Sequence, residues 1–144
     1  MPRRATRRVA THAMQAQRRT HDCGVAALAS YFNIAYEEIF VAAVAQSRSF
    51  AGGAGLSIPE MIAIAKAFGR KLERVHYRQV DLEEHSGILG VNWDRSMWKQ
   101  HGGTGHWVLL RTGTILDPVG FRFADATDYL TLMKGRVGTL LRES

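Results

Sequence analysis

The run Cys23 to Phe32, CGVAALASYF, constrains this chain more than any other stretch. It is rich in Ala and Leu, has no proline and no charge, and its single glycine falls at the start. Such a composition favours helix, and without a polar face the helix must be packed on several sides. Asp22 stands where an N-cap belongs, which puts Cys23 in the first turn. At 144 residues and 46% apolar, the chain suits one domain with one core built around that helix.

The remaining pattern divides in two. A second helix is expected from Tyr36 to Gln46, with Glu37 and Glu38 in its first turn and Ile39, Phe40, Ala43 and Val44 inward. SRSFAGGAGLS reads as a loop. Ser57 opens the next helix with a capping box completed by Glu60, with Pro59 in the first turn, and Gly69 closes it. Beyond it the spacing predicts strands over 72–78, 87–93, 105–112 and 114–116, with a turn at Gly113 and another at Asp117-Pro118-Val119-Gly120. A short helix over 126–133 and a strand over 136–141 finish the chain. Helices followed by a mostly antiparallel sheet make an α+β fold.

Charge and cysteine content narrow the function. The net charge is +6, yet residues 1–19 hold six of the 19 basic side chains and no acid. The other 125 residues then carry 13 basic and 13 acidic side chains, a balance of zero. Residues 1–13 are therefore read as a basic, flexible arm, suited to an acidic partner, nucleic acid or anionic lipid, ahead of a domain over 14–144. The single cysteine rules out an internal disulfide. No apolar stretch reaches membrane-spanning length, and the start lacks the apolar core of a secretory signal. The chain is expected to be cytoplasmic, or exported without a signal peptide. No cofactor or metal is expected: His101 and His106 lie five apart with no further ligands to complete a site.

The chemistry centres on Cys23. A thiol at a helix N-terminus meets free backbone N–H groups, which favour the thiolate and offer one donor to an oxyanion. Gly24 beside it would let a substrate approach. Of six histidines, His106 is the best placed base, because it begins an apolar strand that can hold its ring. The hairpin at Gly113 returns Asp117 across from His106 or one pair away, where its carboxylate would take the Nδ1–H. Spacing alone serves a packed histidine and an ordinary Asp-Pro turn equally well. Gln17, six residues before the sulfur, could supply a side-chain amide to an oxyanion hole, although Gln15 is as close to the arm. Trp93, Trp98 and Trp107 would either narrow a cleft or pack in the core. The paired glycines at 52–53 and 102–103 suit loop tips better than self-cleavage sites.

Gln17-Arg-Arg-Thr-His-Asp22-Cys23-Gly24-Val-Ala-Ala-Leu28 resembles the N-terminal signature of the C39 peptidases, papain-like enzymes that process bacteriocin precursors and are often fused to ABC transporters. GLSIPEMIAIAKAFGRK resembles that family's second block, GILGVNW with GHWVLL its strand pair, and LDPVG its Asp-Pro block. The blocks stand in the family's order over about residues 15 to 123. The resemblance implies a papain-like fold, its helical half facing an antiparallel sheet across a cleft. It implies Cys23 as nucleophile, His106 as general base and acid, Asp117 as orienting residue and Gln17 as oxyanion donor. The substrate would be a peptide or protein, with cleavage after a Gly-Gly pair in members that handle leader peptides. The sequence departs from the pattern in its basic arm and in showing no transporter or nucleotide-binding domain. Two other functions remain open: acyl transfer of the deamidase or transglutaminase kind with the same triad, and a non-catalytic binding module.

Overall fold

The computed structural model describes residues 14–19 and 21–144; the expected arm, residues 1–13, lies outside them. The fold is α+β. Helices α1 (Cys23–Phe32), α2 (Tyr36–Gln46), α3 (Arg48–Ala51) and α4 (Ile58–Ala67) come first. Strands β1 (Leu72–His76), β2 (Ser86–Trp93), β3 (Gly105–Arg111), β4 (Thr114–Leu116), β5 (Arg122–Phe123) and β6 (Gly135–Glu143) follow, with α5 (Trp98–His101) and α6 (Ala126–Met133) among them. The sheet has the order β1-β6-β2-β3-β4-β5, and its pairings are antiparallel.

Each face of the sheet has its own core. On one, Leu72, Ile88, Trp107, Leu109 and Leu141 pack against α1, α2 and α4. On the other, Leu89, Val91, Val108, Leu110 and Leu140 pack against Ala126 and Tyr129 of α6. This alternation is the period-2 pattern of a sheet covered on both sides. Helix α1 is the centre of the first core: Val25 through Ala29 are all 0% exposed.

Local signals acted as expected in most places. Ser57 and Glu60 form the capping box of α4, and Gly69 follows that helix at φ 74°. Three local expectations are corrected. The Ser47–Ser57 segment contains α3, because Ser47 caps it by accepting from the Phe50 N–H and Phe50 is buried. Asp22 does not cap α1 with its side chain. Gly24 is buried, and a Cβ there would lie 2.9 Å from Met61 Sδ and 3.2 Å from Leu56 and Trp107. Its missing side chain lets α1 lie close on the sheet; it does not open a path for substrate.

Candidate active site

The first turn of α1 meets the start of β3. Pairing of β3 with β4 begins only at Leu109, so Gly105 to Val108 run beyond that partner strand. There the Trp107 N–H points at Cys23 Sγ, 3.4 Å away. The thiol is 8% exposed, and its own amide belongs to the helix turn whose N–H groups lack intrahelical acceptors. Sulfur therefore sits between two sources of backbone N–H.

His106, the residue before Trp107, turns its Nε2 to Asp117 Oδ1 at 2.8 Å. The expected contact through Nδ1 is thus corrected. Extending the Leu109↔Leu116 register by one step sets Asp117 opposite Val108, diagonal to His106. A diagonal partner is met by the outer ring nitrogen rather than the one beside Cβ. Nδ1 is left free to face the sulfur. Trp93 stacks on the imidazole at 5.7 Å between centroids and fixes its plane.

Asp117 is 2% exposed and fully engaged. Oδ1 also accepts the Val119 N–H at 2.9 Å, and Oδ2 accepts the Tyr129 hydroxyl at 2.7 Å. Burial alone would push this carboxyl up, but the hydrogen bond and charge of His106, with the Val119 and Tyr129 donors, hold it below the usual carboxylate range. Burial alone would likewise push His106 down. Hydrogen bonds to Asp117 and Cys23 and the charge on each overcome this and raise it from 6.5 to about 10. Burial, and then Asp117, raise Tyr129, which stays a protonated donor.

Gln17 lies on the same cleft as Cys23 and His106. Its N–H donates to Pro118 O at 2.9 Å, joining its segment to the Asp117 turn. Its carboxamide Nε2 donates to Arg19 O at 2.6 Å, while Oε1 is buried without a partner among the described residues. The segment is held from the helical side by Asp22, which is 0% exposed. Asp22 accepts the Arg18 N–H at 2.9 Å and the Arg19 N–H at 3.0 Å, and bonds the Tyr36 hydroxyl. Burial first, then Asp22, raise Tyr36 to about 12. The structure thus brings Cys23, His106, Asp117 and Gln17 to one place. Gln15 is used otherwise: its side chain bonds Ala29 O, Ile34 O and the Tyr36 N–H.

The other histidines among the described residues make different contacts. His21 packs on Phe50, His76 and His85 accept backbone N–H groups, and His101 packs at a tilt against Trp93 and contacts Met133 O. Trp107 is buried in the core and donates through Nε1 to Leu56 O. Sequence reasoning missed Tyr129, the Trp107 N–H and the Asp22–Tyr36 latch. Nothing local marks the first two. Asp22 was visible, and its assignment as a cap concealed its backward reach.

The site lines an open cleft of about 1260 Å³. One wall is Gln17, Arg18, Arg19 and His21 with Gly53 to Ile58; the other is the sheet ends at Gly90 to Asn92, Gly105 to Trp107 and Thr139, with Gln100 to Thr104. The cleft is large enough for an extended polypeptide. Gly53, Gly102 and Gly103 lie on its rim, the first two at positive φ, as loop tips require. Among the described residues no helix is long and apolar enough to cross a membrane. The chain matches no protein-family model, and a search of curated proteins gave no match.

Proposed function

We propose that this protein is a cysteine peptidase of the C39 type with a papain-like fold. The observation that carries the reading is His106, held at one ring nitrogen by Asp117, at the wall of a cleft that Cys23 also lines. A raised imidazole beside a thiol favours a thiolate–imidazolium pair, which is an activated nucleophile and a ready acid together.

In this mechanism the Cys23 thiolate attacks the scissile carbonyl carbon and forms a C–S bond. The oxyanion takes hydrogen bonds from the Cys23 N–H and the Gln17 carboxamide, whose second N–H is not spent on Arg19. Imidazolium Nδ1–H of His106 gives its proton to the leaving amine as the C–N bond breaks, leaving a thioester. His106 then takes a proton from water, whose oxygen adds to the thioester carbon. The C–S bond then breaks with its electron pair returning to the Cys23 sulfur, the acid product leaves, and the proton stays shared between sulfur and imidazole. Asp117, fixed by Tyr129 and the Val119 N–H, keeps the ring oriented through both half-reactions.

The test is to incubate wild type and Cys23→Ala with a thiol-directed peptide warhead and with Gly-Gly peptides near neutral pH. Labelling and cleavage by wild type only are expected. Ammonia released from glutamine side chains with the backbone intact would move the assignment to a deamidase. If iodoacetamide labels Cys23 at pH 6 no faster than free cysteine, the activated pair does not exist.

A further inference from the structure

The cleft lining has an uneven charge. It includes Arg18, Arg19, Arg74, His21, His101 and His106 and, among the described residues, no aspartate or glutamate. Yet the chain has 13 acidic side chains and a neutral balance beyond residue 19. Two of the arginines are engaged: Arg18 pairs with Glu37 at 2.6 Å, and the Arg19 guanidinium lies over Phe40 at 4.5 Å. Arg74 differs. It is exposed, lines the cleft from β1, and no carboxylate among the described residues comes within 4.0 Å of it. Arg70, nearby in sequence, has Glu143 at 2.6 Å.

The strand register shows where Arg74 stands relative to the sulfur. Trp107, whose N–H meets Cys23, pairs with Gly90; Gly90 pairs with Thr139; Thr139 pairs with His76 on β1. Three strand spacings make about 14 Å. Arg74 lies on the same face as His76, two residues along β1, and alternation puts it with Leu72 on the helix-facing side. The floor between is Thr139 and the Trp107 indole, which fills the space over Gly90: a Cβ there would lie 2.9 Å from Trp107 and 3.1 Å from Thr139. An extended peptide advances about 3.4 Å per residue, so Arg74 falls about four or five residues from the sulfur.

We infer that Arg74 forms a subsite for an acidic side chain of the polypeptide substrate, about four or five residues from the bond that Cys23 attacks. This rests on the peptidase reading and adds a substrate class to it: a segment with a glutamate or aspartate at that remove from the scissile bond. A cleft of one sign with low-dielectric walls also draws such a segment in.

The test uses quenched fluorescent peptides with a central Gly-Gly, in which one Glu, or one Lys, is moved through every position on both sides. Wild type should cut the peptide with Glu four or five residues from the cut about fivefold better, in kcat/KM, than its Lys counterpart. The advantage should shrink as salt is raised. Arg74→Ala should remove it and Arg74→Glu should invert it, while iodoacetamide alkylation reports that the nucleophile is intact in each variant. A profile that is the same in wild type and Arg74→Glu overturns the subsite. If no peptide is cut, the peptidase reading fails by itself. The same peptides are then scored by anisotropy against Cys23→Ala with and without Arg74→Glu. A retained Glu preference that inverts supports the subsite, and equal binding of Glu and Lys peptides overturns it.

Discussion

The sulfur and the imidazole reach the cleft by unlike routes. Cys23 is set by short-range structure: it opens α1, and Asp22 just before it ties back to Arg18, Arg19 and Tyr36. His106 is set by long-range structure: Asp117 returns from the hairpin, Tyr129 comes from α6 on the far face of the sheet, and Trp93 comes from β2. In the proposed mechanism the helical side would position atoms for attack and oxyanion binding, whereas the sheet side would tune a proton. Changes on the two sides should therefore fail in different ways.

The largest effect is expected from His106→Ala. Loss of the imidazole should lower peptide cleavage by on the order of 10³-fold or more. It should also cut iodoacetamide alkylation of Cys23 at pH 6, because the thiolate loses its counter-ion. Unchanged alkylation would mean that the two side chains do not act as a pair.

Asp117→Asn comes next, with a loss on the order of 10²-fold in kcat. Its particular signature is in pH. The protonated ring of His106 persists to about 10 in the folded protein, so the alkaline limb of the activity profile should lie near there. Removing the carboxylate charge should move that limb to lower pH. Stability should follow the same linkage. His106 has a raised value, so its contribution is full below the unfolded value of 6.5 and is lost as pH rises through about 10. Asp117 has a lowered value, so its contribution is present above the ordinary carboxylate value of 3.8 and is lost as pH falls through its folded value. Urea midpoints of wild type and Asp117→Asn, measured across pH, should converge towards both extremes and differ most between them.

Asp22→Asn tests the helical side. An amide NH₂ facing the Arg18 and Arg19 N–H groups or the Tyr36 hydroxyl breaks at least one bond of the latch, at about 1–3 kcal/mol. If the latch positions Gln17, affinity for a peptide aldehyde, whose adduct needs the oxyanion donors, should fall about tenfold. Alkylation by iodoacetamide, which needs no such donors, should keep its rate. Equal loss of both would show that Asp22 serves only to hold the fold.

The same division explains what the sequence could reveal. Signals that act within a few residues were readable: the bounds of α2, the capping box at Ser57, the glycine after α4 and the hairpin at Gly113. Cys23, His106 and Asp117 could be picked out because a helix start, a strand start and a turn each place one side chain at an end of an element, and Gln17 because of its place six residues before the sulfur and the resemblance around it. Contacts that depend on how elements stack could not be read. The ring nitrogen that meets Asp117 follows from the β3–β4 register. The burial of Gly24 follows from how closely α1 lies on Trp107, and the role of Tyr129 depends on α6 crossing beneath Asp117. Val44, expected inward, is 41% exposed, because α2 uses a narrower stripe centred on Tyr36, Ile39 and Ala43.

Tyr129→Phe should give the smallest effect and make the sharpest comparison with the latch. Both tyrosines donate to a buried carboxylate, Tyr36 to Asp22 and Tyr129 to Asp117. Removing either hydroxyl leaves a buried acceptor short of one bond and should cost about 1–3 kcal/mol in urea unfolding. Only the Tyr129 change touches the proton chemistry. With one donor fewer, Asp117 holds its negative charge less firmly, and His106 should deprotonate at a slightly lower pH. The His106 ring resonances, followed by NMR through alkaline pH, should shift their midpoint downward in Tyr129→Phe and stay in place in Tyr36→Phe. Matching midpoints in the two variants would mean that the sheet-side network does not tune the imidazole, and that the hydroxyl of Tyr129 only fills its place in the far core.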